Sequence, residues 1–157
     1  MTEDVRDLVN YDPQSGVFRW SITRSSSVIA GRVAGSVHPE GYRIIKINGK
    51  NYAAHRLAWF CVNGAWPDEM IDHINGVRGD NRICNLRLAN RFQNASNKRS
   101  FSGMKGVTFF KEQKKFRAQI MAKGKRMHLG LFATADEAHA AYRKAASELH
   151  GDFACFE

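Results

Sequence analysis

Four side chains in one short stretch have the types and spacing for chemistry: Asp72, His73, Asn85 and Asn94. Asp72 and His73 are adjacent, so on a strand their side chains leave opposite faces unless the strand bends or ends there. Asn94 falls about two and a half turns into the helix expected after them, close enough for its amide oxygen to reach back towards Asp72. A carboxylate and an amide oxygen are hard donors suited to one Mg²⁺ or Mn²⁺ ion, with positions left for water and phosphate oxygens. An imidazole that ordinarily titrates near 6.5 can take a proton from an attacking water at neutral pH. A metal on the scissile phosphate would neutralise the charge developing there. Hydrolysis of a phosphodiester is the chemistry these residues predict.

Asp72-His73, Asn85 within Asn85-Leu86-Arg87, and Asn94 resemble the motif of the HNH nucleases, in particular the homing subgroup in which the third position is asparagine. Ala54-His55-Arg56-Leu57 is similar to a run such proteins carry ahead of it, and the likeness covers roughly residues 42–98. The resemblance implies that His73 is the general base, that Asp72 and Asn94 hold one divalent ion, and that Asn85 orients His73 by bonding across the loop. Products would be a 5′-phosphate and a 3′-hydroxyl. His55 reads either as a packing residue at a helix start or as a phosphate contact. Asp80 and Asn81 read as turn residues as readily as ligands.

The elements that must position these residues can be read from local patterns. Tyr11 to Gly16, with Pro13, is a turn leading into the apolar stretch Val17–Trp20, and a looser region follows from Ser25 to Gly35. Tyr42 to Ile47 and Lys50 to Ala54 flank Asn48-Gly49, a strong hairpin signal. His55 to Val62 has helical apolar spacing. Met70–Ile74 and Ile83–Leu86 are expected as two short strands around a polar loop, with a helix over Leu88–Lys98, giving a β-β-α order. Beyond the joint at Ser100 to Gly103, Lys105–Phe110, Lys115–Ala122 and Lys125–Phe132 predict a three-stranded antiparallel sheet. Thr134-Ala135-Asp136-Glu137 is a capping box that opens a helix whose apolar stripe is Ala138, Ala141, Tyr142, Ala145 and Leu149, ending near Gly151.

That last region also resembles a plant DNA-binding domain of the ethylene-response-factor, or APETALA, type, through Lys105-Gly106-Val107, Phe116 to Ile120, His128 to Phe132 and Thr134 to Ala138. The implied fold lays the open face of a three-stranded sheet into the DNA major groove. Alternation on the middle strand sends Phe116, Ala118 and Ile120 to one side and Lys115, Arg117, Gln119 and Met121 to the other. Lys105, Thr108, Lys115, Arg117, Gln119, Arg126 and His128 are therefore expected on the DNA face, where Arg and Gln can read base edges and Lys can hold phosphates. The plant pattern has arginine and tryptophan where Thr108 and His128 stand, so its sequence preference does not carry over.

Charge supports a polyanion partner. Of the net +9, the stretch from Arg82 to Arg126 holds thirteen Lys or Arg against one acid, Glu112, and so carries +12 while the remainder is −3. Arg87, Lys98 and Arg99 of this stretch are expected on DNA as well. No apolar run approaches the roughly 20 residues that cross a bilayer, and the acidic start lacks the order of a secretory signal, so a soluble, cytoplasmic protein of a bacterial or phage-infected cell is expected. Cys61, Cys84 and Cys155 are odd in number and far apart, which argues against a disulfide framework or a paired zinc site.

The sequence thus predicts an α+β chain of two modules: residues 1–99 with the nuclease unit, and 100–157 with a DNA-reading sheet and helix. Its partner is double-stranded DNA, with no membrane and no obligate protein partner evident. A sequence-specific DNA-binding regulator with a vestigial nuclease unit is the alternative; an RNA-binding role lacks a stacking motif.

Overall fold

The computed structural model describes residues 4–98, 100 and 103–157, and separates into two compact units, Met1–Leu88 and Ala89–Glu157. The fold is α+β, with several small sheets and four α-helices among the described residues. None of those helices is long and apolar enough to cross a membrane.

The first unit opens with a single helical turn, α1 (Val5–Leu8), and a hairpin of β1 (Val9–Asp12) and β2 (Val17–Trp20). The turn between them was expected, but the strand before it was not, because Val9 to Asp12 carries only half of an apolar alternation. Pairing supplies the rest: Val9 lies opposite Trp20 and Tyr11 opposite Phe18. A three-stranded antiparallel sheet follows, of β3 (Ser36–Val37), β4 (Arg43–Ile47) and β5 (Lys50–Ala53). Asn48 and Gly49 make its tight turn, both with positive φ, as the dipeptide predicts.

Helix α2 (Ala54–Asn63) buries Ala54, Leu57 and Ala58. They join Phe18, Trp20, Ile45 and Ile47 in one apolar core that also takes in Ile71 and Leu86. Those last two belong to β6 (Met70–His73) and β7 (Leu86–Ala89), a two-stranded sheet. Here the structure corrects the expected boundaries. Ile83–Asn85 is a 3₁₀ turn, not a strand, held from outside by the Ile83 N–H donating to the Pro13 carbonyl at 3.2 Å. Leu88 and Ala89 are strand, because the helix cannot start before Asn90, whose side chain caps it by accepting from Phe92 N and Gln93 N.

The second unit begins with that helix, α3 (Arg91–Ser96), and continues with β8 (Val107–Phe110), β9 (Lys115–Ala122) and β10 (Lys125–Phe132), ordered β10-β9-β8 and antiparallel. Helix α4 (Ala135–His150) starts at the Thr134–Glu137 capping box and packs Tyr142 and Ala146 on Ile120. The expected stripe is corrected at one end: Leu149 is 45% exposed, and Ala146 takes the core position.

Candidate active site

His73 ends β6 with its imidazole 5% exposed, and Asp72 beside it is equally buried. The strand ends at His73, where the 74–85 loop begins. Burial pushes His73 below its ordinary value, only partly opposed by the nearby Asn81 and Asp72, so the ring is neutral at pH 7 and able to accept a proton. Its Nε2 lies 3.5 Å from Asn81 Oδ1. Asn81 Nδ2 donates to the Gly79 carbonyl at 3.1 Å, which turns the amide oxygen towards the ring.

Asn85, expected to orient His73, is buried and acts on the loop. Its Oδ1 accepts from Asn75 N at 3.0 Å and its Nδ2 donates to the Asp80 carbonyl at 2.9 Å, so one amide ties both ends of the loop. Asp80 adds a second tie, accepting from Asn75 Nδ2 at 2.7 Å and from the Arg82 guanidinium, whose hydrogen bond holds the carboxyl down to about 2. A side chain that faces His73 across the loop is Asn81, 2% exposed, which the sequence offered as a turn residue as readily as a ligand. An asparagine among Gly, Asp and Arg has no local signal of burial; only the folded loop reveals it.

Arg87, read from sequence as a DNA contact, stands on β7 with Nε 2.9 Å and Nη2 2.8 Å from Asp72 Oδ2. This pair keeps the buried carboxylate compensated. Asn94, the other expected metal donor, lies in α3 of the second unit.

His55 belongs to the site's surroundings. Its ring meets His73 edge-on with centroids 5.2 Å apart, and Tyr42 packs on it at 5.3 Å, under the Arg78 guanidinium. The next two residues explain its place: Leu57 is wholly buried, and Arg56 donates to the carbonyls of Glu69 and Pro67, tying α2 to the approach of β6. Burial, then the charge of His73, lowers His55 to about 4, and its Nδ1 is buried with no hydrogen-bond partner among the described residues. Because the folded state favours the neutral ring, the unfolded chain takes up a proton first as pH falls. The contribution is fully present above about 6.5 and lost by about 4, on the order of 3 kcal/mol. Urea unfolding at pH 7.5 and 4.5 should show this loss, and His55→Gln should flatten it; an equal pH slope in the variant would assign the loss elsewhere.

On the second unit, strand pairing puts Thr108 opposite Arg117, Gln119 opposite His128 and Met121 opposite Arg126, so these share the sheet face away from α4, with Lys115 two residues before Arg117. Arg117 lies over the Phe110 ring at 5.6 Å, with its Nε buried and without a hydrogen-bond partner among the described residues. Lys105 is elsewhere: its ammonium donates to the carbonyls of Ser96 and Lys98, and burial lowers it. Lys98 is exposed, and Arg99 lies outside the described residues.

The family model described as HNH endonuclease matches residues 52–96, which hold α2, both strands and the loop. Protein 3.8 of Escherichia phage T7 is 36% identical over 109 residues, 65% of this chain and 88% of that protein. An uncharacterised HNH endonuclease of Acanthamoeba polyphaga mimivirus is 29% identical over 138 residues, 87% of this chain and 69% of the relative. With a buried, neutral imidazole at the end of β6 and a loop-bound asparagine facing it, the chain carries an HNH endonuclease domain over residues 52–96 and is a nuclease.

Proposed function

We propose that the protein is a metal-dependent DNA endonuclease of the homing type that hydrolyses phosphodiesters to 5′-phosphate and 3′-hydroxyl ends, acting in the cytoplasm of a host cell. The observation that carries this is His73: buried, neutral at pH 7 and held beside Asn81 at the end of β6. His73 takes the proton of the attacking water. Asn85 keeps the loop over it closed, and so acts on His73 at one remove.

Asp72 and Asn94 would hold one Mg²⁺ or Mn²⁺ ion, which when bound supplies charge neutralisation at the phosphate. The donors are hard oxygens, as such an ion requires. Among the described residues no three His, Cys, Asp or Glu side chains gather in one place, so the set would be one carboxylate and one amide, completed by solvent and phosphate oxygens. Asn94 enters through its place in the motif, within the matched residues.

The second unit is proposed to read the DNA major groove with its open sheet face, in the manner of the plant domain it resembles. Support comes from Arg117, Gln119, Arg126 and His128 sharing that face, and from the basic stretch that contains them. Arg87 and Lys105 are engaged elsewhere, on Asp72 and on the carbonyls of Ser96 and Lys98; exposed Lys98, with Arg99, is proposed to contact DNA, and base reading is assigned to the sheet.

Cleavage mapping on a mixed duplex library tests both parts. Wild-type protein should cut in Mg²⁺ or Mn²⁺, stop on chelation and leave 5′-phosphates, whereas Arg117→Ala should cut at a similar rate with the site preference lost. Metal-independent cutting would overturn the first part, and an unchanged cut pattern in Arg117→Ala the second.

A further inference from the structure

Residues 9–20 lie outside the family match, yet their hairpin meets the loop that carries Asn81 at three points, two of them hydrogen bonds. Tyr11 Oη donates to the Asn81 carbonyl at 2.7 Å. Pro13 offers its carbonyl to Ile83 N at 3.2 Å. Gly16, buried at φ +72°, packs backbone to backbone: a Cβ there would stand 2.4 Å from Arg82 N and 2.6 Å from Asn81 C. The turn is bonded within itself: Asp12 accepts from Gln14 N and Ser15 Oγ, and Gly16 N donates to the Asp12 carbonyl. The ring of Tyr11 is held independently by stacking on Phe18 at 4.6 Å.

Asn81 is thus gripped on its backbone by the hairpin while its side chain faces His73. We propose that the Tyr11–Gly16 turn is a clamp that sets where Asn81 stands and, through it, how the His73 ring is held, making Tyr11 and Gly16 positioning residues for cleavage. The clamp presupposes His73 as the proton acceptor. Packing alone would explain the Tyr11–Phe18 stack, but it needs neither the hydroxyl on the Asn81 carbonyl nor a residue without Cβ against Arg82 N. Both features address the loop and not the core. A reacting geometry displaced by about 1 Å can cost a hundredfold in rate, even when the substitution is remote from the chemistry.

The test uses the full chain and two variants, Tyr11→Phe, which removes only the hydroxyl, and Gly16→Ala. In single-turnover and steady-state cleavage of a DNA duplex, kcat should fall about tenfold in Tyr11→Phe and about a hundredfold in Gly16→Ala, with KM and DNA affinity within about twofold. In metal-free protein the His73 ring ¹⁵N resonances should move in both variants, while those of the exposed His128 stay. Unchanged kcat in folded Tyr11→Phe, or a fall in kcat with the His73 resonances in place, would overturn the clamp. Should Gly16→Ala fail to fold, Tyr11→Phe decides alone. His73→Ala separates the two ideas: normal cutting by that variant refutes the proton acceptor, whereas the His73 ring resonances of Tyr11→Phe and Gly16→Ala still report on the clamp.

Discussion

His73→Ala should cut DNA at least about a thousandfold more slowly than wild type and bind it with nearly unchanged affinity. Positioned acid-base groups contribute roughly 10² to 10⁴ in rate, and burial holds His73 in the form that can accept a proton. On the proposed reading, DNA is held by other residues, those of the basic stretch and of the open face of the β8-β9-β10 sheet. Single-turnover cleavage of a labelled duplex, with a filter-binding titration of the same duplex, measures both quantities. A variant that cuts within tenfold of wild type would remove His73 from the role of base. Parallel loss of binding would instead make it a structural residue.

Arg87→Met should destabilise the metal-free protein by about 3 kcal/mol and make its stability depend on divalent cation. Asp72 is 5% exposed, and the Arg87 guanidinium approaches its Oδ2 through both Nε and Nη2. Removing one partner of a buried pair costs about 3 to 5 kcal/mol, because a charge is left in low dielectric. The lower end applies, as the Arg87 side chain keeps 17% of its exposure. If Asp72 is a metal ligand, millimolar Mg²⁺ or Mn²⁺ offers the stranded carboxylate another positive partner, and the thermal midpoint of Arg87→Met should rise on adding it by more than that of wild type. Adding Asp72→Asn to the variant should recover part of the loss and abolish the extra response to the cation, since neighbouring substitutions do not add. A midpoint for Arg87→Met equal to wild type would show that the pair contributes nothing.

Arg87 also illustrates what residue type conveys and what it does not. Within a stretch of thirteen Lys or Arg and one acid, a phosphate is the natural partner for any arginine. Arg87 nonetheless sits on the strand next to β6, and pairing brings the Asp72 carboxylate within hydrogen-bond distance. Lys105 departs for a related reason: the chain before β8 turns its ammonium onto the carbonyls of Ser96 and Lys98. Thr108, Lys115, Arg117, Gln119, Arg126 and His128 keep the common face foreseen for them, because alternation along paired strands is a local rule with little freedom.

Boundaries divide in the same way. Asn48-Gly49, the Thr134 capping box and the β9 and β10 spans follow from short-range chemistry, and the folded chain matches them. Ile83 to Asn85 reads as strand by composition but winds into a 3₁₀ turn, because the Pro13 carbonyl takes Ile83 N and the Asn85 side chain closes the loop. Neither cause lies within reach of a window centred on Ile83.

The sequence by itself carried the HNH motif of residues 52–96, the α+β class and the strand alternation of β9, since a nuclease motif and a β-sheet alternation are statements about residue type and spacing. Tertiary structure alone decided which of those residues meet. Asn81, separated from Tyr11 by 70 positions, faces the imidazole because a distant hairpin holds its backbone. Asp72 finds Arg87 because two strands pair. Contacts closed over such separations depend on how the loops shut, and loop closure is a property of the whole packed unit, not of any stretch of sequence.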